Sequence, residues 1–145
     1  DMLKAGVNVG LAVDGSASND GSNLMSEIRT SYLLHRLAYS NEAPSGYDIL
    51  KMATRGSAAV LGRDDIGELS IGKAADFFAI DSESLELVGT FTDPAGLLAT
   101  TGYSKPADYV FVGGNLICEK GVLNGIDEEE TVKDANKRVK KLINS

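Results

Sequence analysis

Residues 7–13 read VNVGLAV and stop at Asp14 and Gly15, and this short apolar run constrains the chain more than any other feature. Its β-rich, nearly continuous apolar character suits a strand buried on both faces, as in parallel sheets covered by helices. Such a strand needs parallel neighbours, each delivered by a crossover connection. These residues hold no second βα crossover pattern, so the missing strands are expected upstream. The chain opens on Asp1 rather than Met, which fits a piece of a longer protein.

The flanking residues support the strand. Met2, Leu3 and Ala5 read as the last turn of a helix, with Gly6 as its left-handed cap. Residues 15–21 are small and polar, a loop. From Ser22 or Asn23 to about Tyr39 the spacing turns helical, with Leu24, Met25, Ile28, Leu33 and Leu37 on one broad face. Residues 41–45 make a turn. Ser45 and Asp48 then resemble a capping box opening a second helix, whose core face is Ile49, Leu50, Met52 and Ala53. Gly56 is expected to interrupt that helix, and residues 58–61 to add a short turn closed by Gly62.

Beyond Arg63 the texture becomes short strands and glycine turns, at residues 66–72 and 77–81. Residues 94–106 look irregular or partly helical. Residues 109–112 and 116–118, joined through Gly113 and Gly114, form a hairpin pattern. Residues 127–145 read as an exposed terminal helix with Val132, Ala135, Val139, Leu142 and Ile143 as its apolar stripe. Three parts follow: residues 1–62, an α/β part; residues 63–126, a β-rich part; and residues 127–145, a helix.

Composition narrows the function. A formal net charge of -7 argues against a nucleic-acid partner, because phosphate binding demands clustered Lys and Arg. No run approaches the roughly 18 apolar residues of a membrane-spanning helix, and no membrane partner is expected. Cys118 is the single cysteine, so no internal disulfide can form and a reducing compartment, the cytoplasm, is the simplest setting.

Asp14 is the residue best placed for chemistry, since α/β folds carry reactive groups at the C-terminal ends of their strands. The competing reading is a plain Asp-Gly turn. Ser16, Ser18 and Asn19, on the loop leaving the strand, could orient Asp14 or reach a ligand, or simply be solvated. His35 is the only histidine, sits mid-helix among leucines, and reads as a packing or surface residue. Cys118 reads as a small apolar strand residue, and the glycines of residues 10–21 lack phosphate-loop spacing. Glu128, Glu129 and Glu130 at one end of the last helix and bases at the other complement its dipole.

Residues 6–24, GVNVGLAVDGSASNDGSNL, resemble the eighth barrel strand and following loop of the cytosine-deaminase-like amidohydrolases. Residues 53–62, ATRGSAAVLG, and 66–76, IGELSIGKAAD, are similar to two further stretches of that family, and residues 112–115, VGGN, to its late hairpin. The residues after Asp14 look most like 8-oxoguanine deaminases and hydroxyatrazine-type ethylaminohydrolases. The resemblance implies the last βα unit of a TIM-type (β/α)8 barrel followed by the C-terminal portion of a composite β-sandwich. It also implies one divalent metal, zinc or iron, in the full-length enzyme, with Asp14 as both metal ligand and catalytic proton carrier. Ser16 and Asn19 would support it or face substrate.

The implied partners are a heterocyclic small-molecule substrate, the missing N-terminal barrel portion and further copies in a homo-oligomer. The implied reaction is hydrolytic deamination of an oxidised purine or a triazine. Guanine or S-adenosylhomocysteine deamination and triazine dechlorination are alternatives, as is a non-enzymatic β-rich interaction module. The family's His-X-His pair, two later histidines and acid-base glutamate have no counterpart among these residues. The chain alone is therefore expected to be inactive and to hold no catalytic metal.

Overall fold

The computed structural model describes residues 2–15, 17–19 and 21–144. Its first feature is the helix end expected before the strand. Gly6 has φ of 74°, its N–H donates to the Leu3 carbonyl at 3.0 Å, and the Val7 N–H reaches back to the Met2 carbonyl at 3.1 Å. This pair of bonds is the glycine-terminated motif that satisfies the last carbonyls of a helix.

Residues 7–13 run extended, but among the described residues they belong to no β-ladder. Val9 and Leu11 pack against the core, while Val7 is exposed. One side of the segment meets helices, and on the other no neighbouring strand is found among the described residues.

Helix α1 (Leu24–Tyr39) begins where the sequence placed it, with the Asn23 side chain accepting from Met25 and Ser26 N–H groups. These bonds satisfy donors that a helix start leaves unpaired. Its buried stripe is narrower than expected. Ile28 is buried, with Met25 and Tyr32 partly so, whereas Leu33, Leu34 and Leu37 are exposed. Helix α2 (Gly46–Lys51) opens on the full capping box of Ser45 and Asp48.

Gly56 does not interrupt the helix, contrary to the sequence expectation. Met52–Gly56 is a π-helical stretch that carries α2 directly into α3 (Ser57–Val60). The reason is packing: a Cβ on Gly56 would lie 2.1 Å from the Val9 carbonyl oxygen, so the bare backbone lets the helix press against the extended segment. The turn after α3 closes at Gly62, as anticipated.

The core joins the expected Ile28, Ile49 and Met52 to a stretch where the sequence showed little pattern. Leu97, Leu98, Ala99 and Tyr103, on and just after α4 (Leu97–Thr101), join Ile28, Ile49, Met52 and Leu87 in one buried cluster. Burying each large apolar side chain contributes about 1.5–3 kcal/mol. Arg29 Nη1 holds the end of α4, donating to the Ala99 carbonyl at 2.8 Å and the Thr100 carbonyl at 2.6 Å.

The β-rich part is an antiparallel meander, β1 (Phe77–Ala79), β2 (Tyr109–Val112), β3 (Asn115–Glu119) and β4 (Val122–Leu123), in that spatial order. The hairpin through Gly113 and Gly114 is confirmed, and Phe77 stacks on its register partner Phe111 with ring centroids 4.6 Å apart. Residues 66–72, expected as a strand, are bends and turns instead. They find no strand to pair with among the described residues, and Glu68 is held by Arg55 at 2.8 Å. Helix α5 (Glu128–Ile143) follows an Asp127 N-cap and is exposed along the described length. No helix among the described residues is long and apolar enough to cross a membrane.

Candidate active site

Asp14 stands at the end of the extended segment with its side chain exposed. Its φ is 65°, a left-handed conformation that costs a residue with a Cβ about 1–2 kcal/mol. Aspartate tolerates it because the short side chain can bond locally, and here the Gly15 N–H donates to Asp14 Oδ1 at 2.7 Å. Among the described residues no other group bonds the carboxylate, which leaves Oδ2 open to solvent.

The Gly15 carbonyl gathers bonds from the loop after Asp14. Ser18 and Asn19 N–H groups donate to the Gly15 carbonyl at 2.9 and 3.0 Å. The Ser18 hydroxyl also donates to that carbonyl, at 3.1 Å, so its role is local to the turn. Ser16 lies outside the described residues.

Asn19 does more. Its Nδ2 donates to the Val13 carbonyl, immediately before Asp14, and to Glu27 Oε1 at 3.0 Å. Its Oδ1 accepts from the Gly21 N–H at 2.8 Å. Two acceptors face the nitrogen and one donor faces the oxygen, so the amide has one satisfying orientation. Glu27 belongs to the first turn of α1 and was not among the residues the sequence singled out. An acid there reads as an ordinary partner of the helix dipole.

Ser57 is the second contributor missed by sequence. Its hydroxyl accepts from the Leu11 N–H at 3.1 Å and lies 3.1 Å from the carbonyl oxygens of both Leu11 and Met52. The π-helical stretch turns this side chain toward the extended segment, where it takes the place of a neighbouring strand. Asp14 is therefore held from both sides, through Leu11 by α3 and through Val13 by the start of α1.

A groove of about 1070 Å³ runs beside residues 2–11 and is lined by Leu3, Val7, Val9, His35, Met52 and Arg55 among others. Asp14 is not among its lining residues, and the groove is the open flank of the unpaired segment. His35 is only part-exposed and its Nδ1 donates to the Ser31 carbonyl at 2.8 Å, as suits a packing residue. Cys118 is buried in β3, near the Ala107 carbonyl.

A catalytic zinc centre takes about three protein ligands plus water. Among the described residues no group of three or more His, Cys, Asp or Glu side chains could hold a metal ion.

The amidohydrolase family model matches residues 1–125, most of the chain. The chain belongs to the amidohydrolase family. It is 45% identical over 138 residues to hydroxydechloroatrazine ethylaminohydrolase of Pseudomonas sp. (strain ADP), covering 93% of this amidohydrolase chain and 29% of that enzyme. It is 44% identical over 127 residues to 8-oxoguanine deaminase of Pseudomonas aeruginosa, covering 88% and 28%. The crystal structure of atrazine chlorohydrolase from Arthrobacter aurescens TC1 complexed with zinc superposes with a TM-score of 0.86 at 41% identity, over 93% of this chain and 30% of that one.

The chain thus spans less than a third of the length of these relatives, which are hydrolases and deaminases. Its fold, helices followed by an antiparallel sheet, is that of the C-terminal part of the family's barrel-plus-sandwich architecture, as the sequence resemblance implied.

Proposed function

We propose that the full-length protein hydrolytically deaminates an aminated heterocycle, an 8-oxoguanine-type purine or a hydroxyatrazine-type triazine, with Asp14 as its catalytic carboxylate. The observation that carries this reading is the placement of Asp14. It is an exposed carboxylate in a strained left-handed conformation, at the end of an extended segment fixed on both sides. Strained backbone concentrates at functional sites, where surrounding bonds over-determine it.

In the reaction, water oxygen bonds to the ring carbon carrying the amino group, the C–N bond breaks, and ammonia leaves from a purine or ethylamine from a hydroxyatrazine-type triazine. Asp14 takes a proton from the attacking water and returns it to the departing nitrogen, a role that suits a carboxylate with one free oxygen. A divalent metal, zinc or iron, would supply Lewis acidity at such a centre. Asp14 would be one of its ligands, with the rest coming from the upstream barrel portion. That portion would also provide the strands flanking residues 7–13. Residues 1–62 then complete the barrel, residues 63–126 contribute to the sandwich, and residues 127–145 form a terminal helix. The setting is a cytoplasmic homo-oligomer.

The test is release by the full-length protein of ammonia from 8-oxoguanine, guanine and S-adenosylhomocysteine, and of ethylamine from hydroxyatrazine. Turnover of 8-oxoguanine or hydroxyatrazine is expected, and Asp14→Asn should lower kcat by about 10²- to 10⁴-fold. Silence on every aminated heterocycle would refute the reading.

A further inference from the structure

We infer that Asn19 and Glu27 act as one clamp that positions Asp14; the inference rests on the proposed catalytic role of that carboxylate. The clamp has three bonds. Asn19 Nδ2 grips the Val13 carbonyl on one side and Glu27 Oε1 on the other, and Asn19 Oδ1 holds the Gly21 N–H. Asn19 and Glu27 are both part-buried, so these bonds are sheltered from competing water.

The geometry has a direct consequence for the carboxylate. The Val13 carbonyl and the Asp14 N–H share one rigid peptide plane, so fixing the carbonyl fixes the plane from which the left-handed Asp14 departs. Glu27 in turn belongs to a helix start that is itself anchored. Asn23, its N-cap, donates through Nδ2 to the Ser104 carbonyl at 2.8 Å, beside the buried Tyr103. The path from the helical core to the carboxylate therefore runs through Asn23, Glu27, Asn19 and Val13. Glu27 touches no reacting group; it is a positioning residue acting through Asn19. A purely structural role, an acid stabilising a helix terminus, would involve neither Asn19 nor Asp14.

The experiment uses the full-length protein as wild type, Asn19→Ala, Glu27→Ala, the double variant and Glu27→Gln, with two readouts. Amide hydrogen exchange across residues 13–21 should accelerate in each alanine variant, and in the double variant no further than in either single. On the substrate the wild type turns over, kcat should fall about 10- to 100-fold with KM nearly unchanged, again without additivity. Glu27→Gln keeps an oxygen that can accept from Nδ2 and should retain most of the wild-type kcat. Additive losses, faster exchange with unchanged kcat, or a glutamine variant as slow as alanine would each overturn the inference. A wild type silent on every substrate refutes the catalytic role of Asp14, and with it the positioning role. Exchange that is equal in all variants refutes the clamp alone.

Discussion

The Ser57 hydroxyl pairs with both backbone polar groups of Leu11, accepting its N–H at 3.1 Å and lying 3.1 Å from its carbonyl oxygen. A helical side chain thereby supplies what a neighbouring strand would supply in a sheet, and it does so three residues before the candidate carboxylate.

Ser57→Ala should therefore leave two part-buried backbone groups of Leu11 unpaired. A loss of about 1–3 kcal/mol is expected, because an orphaned polar group carries its desolvation cost. Urea unfolding checks this, and an unchanged midpoint would show that water replaces the hydroxyl freely.

Gly56→Ala should be worse than its size suggests. The new Cβ would meet the Val9 carbonyl oxygen at 2.1 Å, a backbone atom that cannot swing aside. The extended segment must move away from the helix, at a cost of at least about 2 kcal/mol for forced overpacking, and Asp14 moves with it. Thermal unfolding and kcat should fall together.

The capping box predicts an acid limb. Lys51, hydrogen-bonded to the Asp48 carboxylate, and Ser45 beside it hold the Asp48 pKa at about 2, below its ordinary 3.8. The folded state favours the ionised form, so this stabilisation is complete above pH 3.8 and fades as pH falls through about 2. Asp48 is 42% exposed, so solvent and salt mute the effect. Asp48→Asn should flatten the stability profile in that window, and Ser45→Ala should cost about 1 kcal/mol at neutral pH.

Metal retention separates one carboxylate from a complete site. The isolated 145-residue chain, dialysed with zinc or iron and measured by atomic emission, should carry far less than one equivalent. Stoichiometric metal would mean that these residues suffice, contrary to the proposal that the remaining ligands come from the upstream barrel portion.

Features made within one or two helical turns were legible in the sequence. The helix starts near Asn23 and Asp127, the Ser45 and Asp48 box, the Gly6 helix end and the glycine hairpin all join residues a few positions apart, so their spacing declares them. Asp14 was visible for the same reason, as a carboxylate between an apolar run and a turn. Tertiary structure alone decided the rest. Leu97 and Leu98 sit in a stretch too short to show a period, yet they join the buried core. Residues 66–72 have strand character but no partner to pair with among those described. Ser57 reaches Leu11 across 46 positions, and Asn19 reaches Glu27 across a loop whose shape the sequence does not announce. Local propensity proposes elements, but which side chain meets which backbone group depends on how they pack, and that packing determines how Asp14 is held.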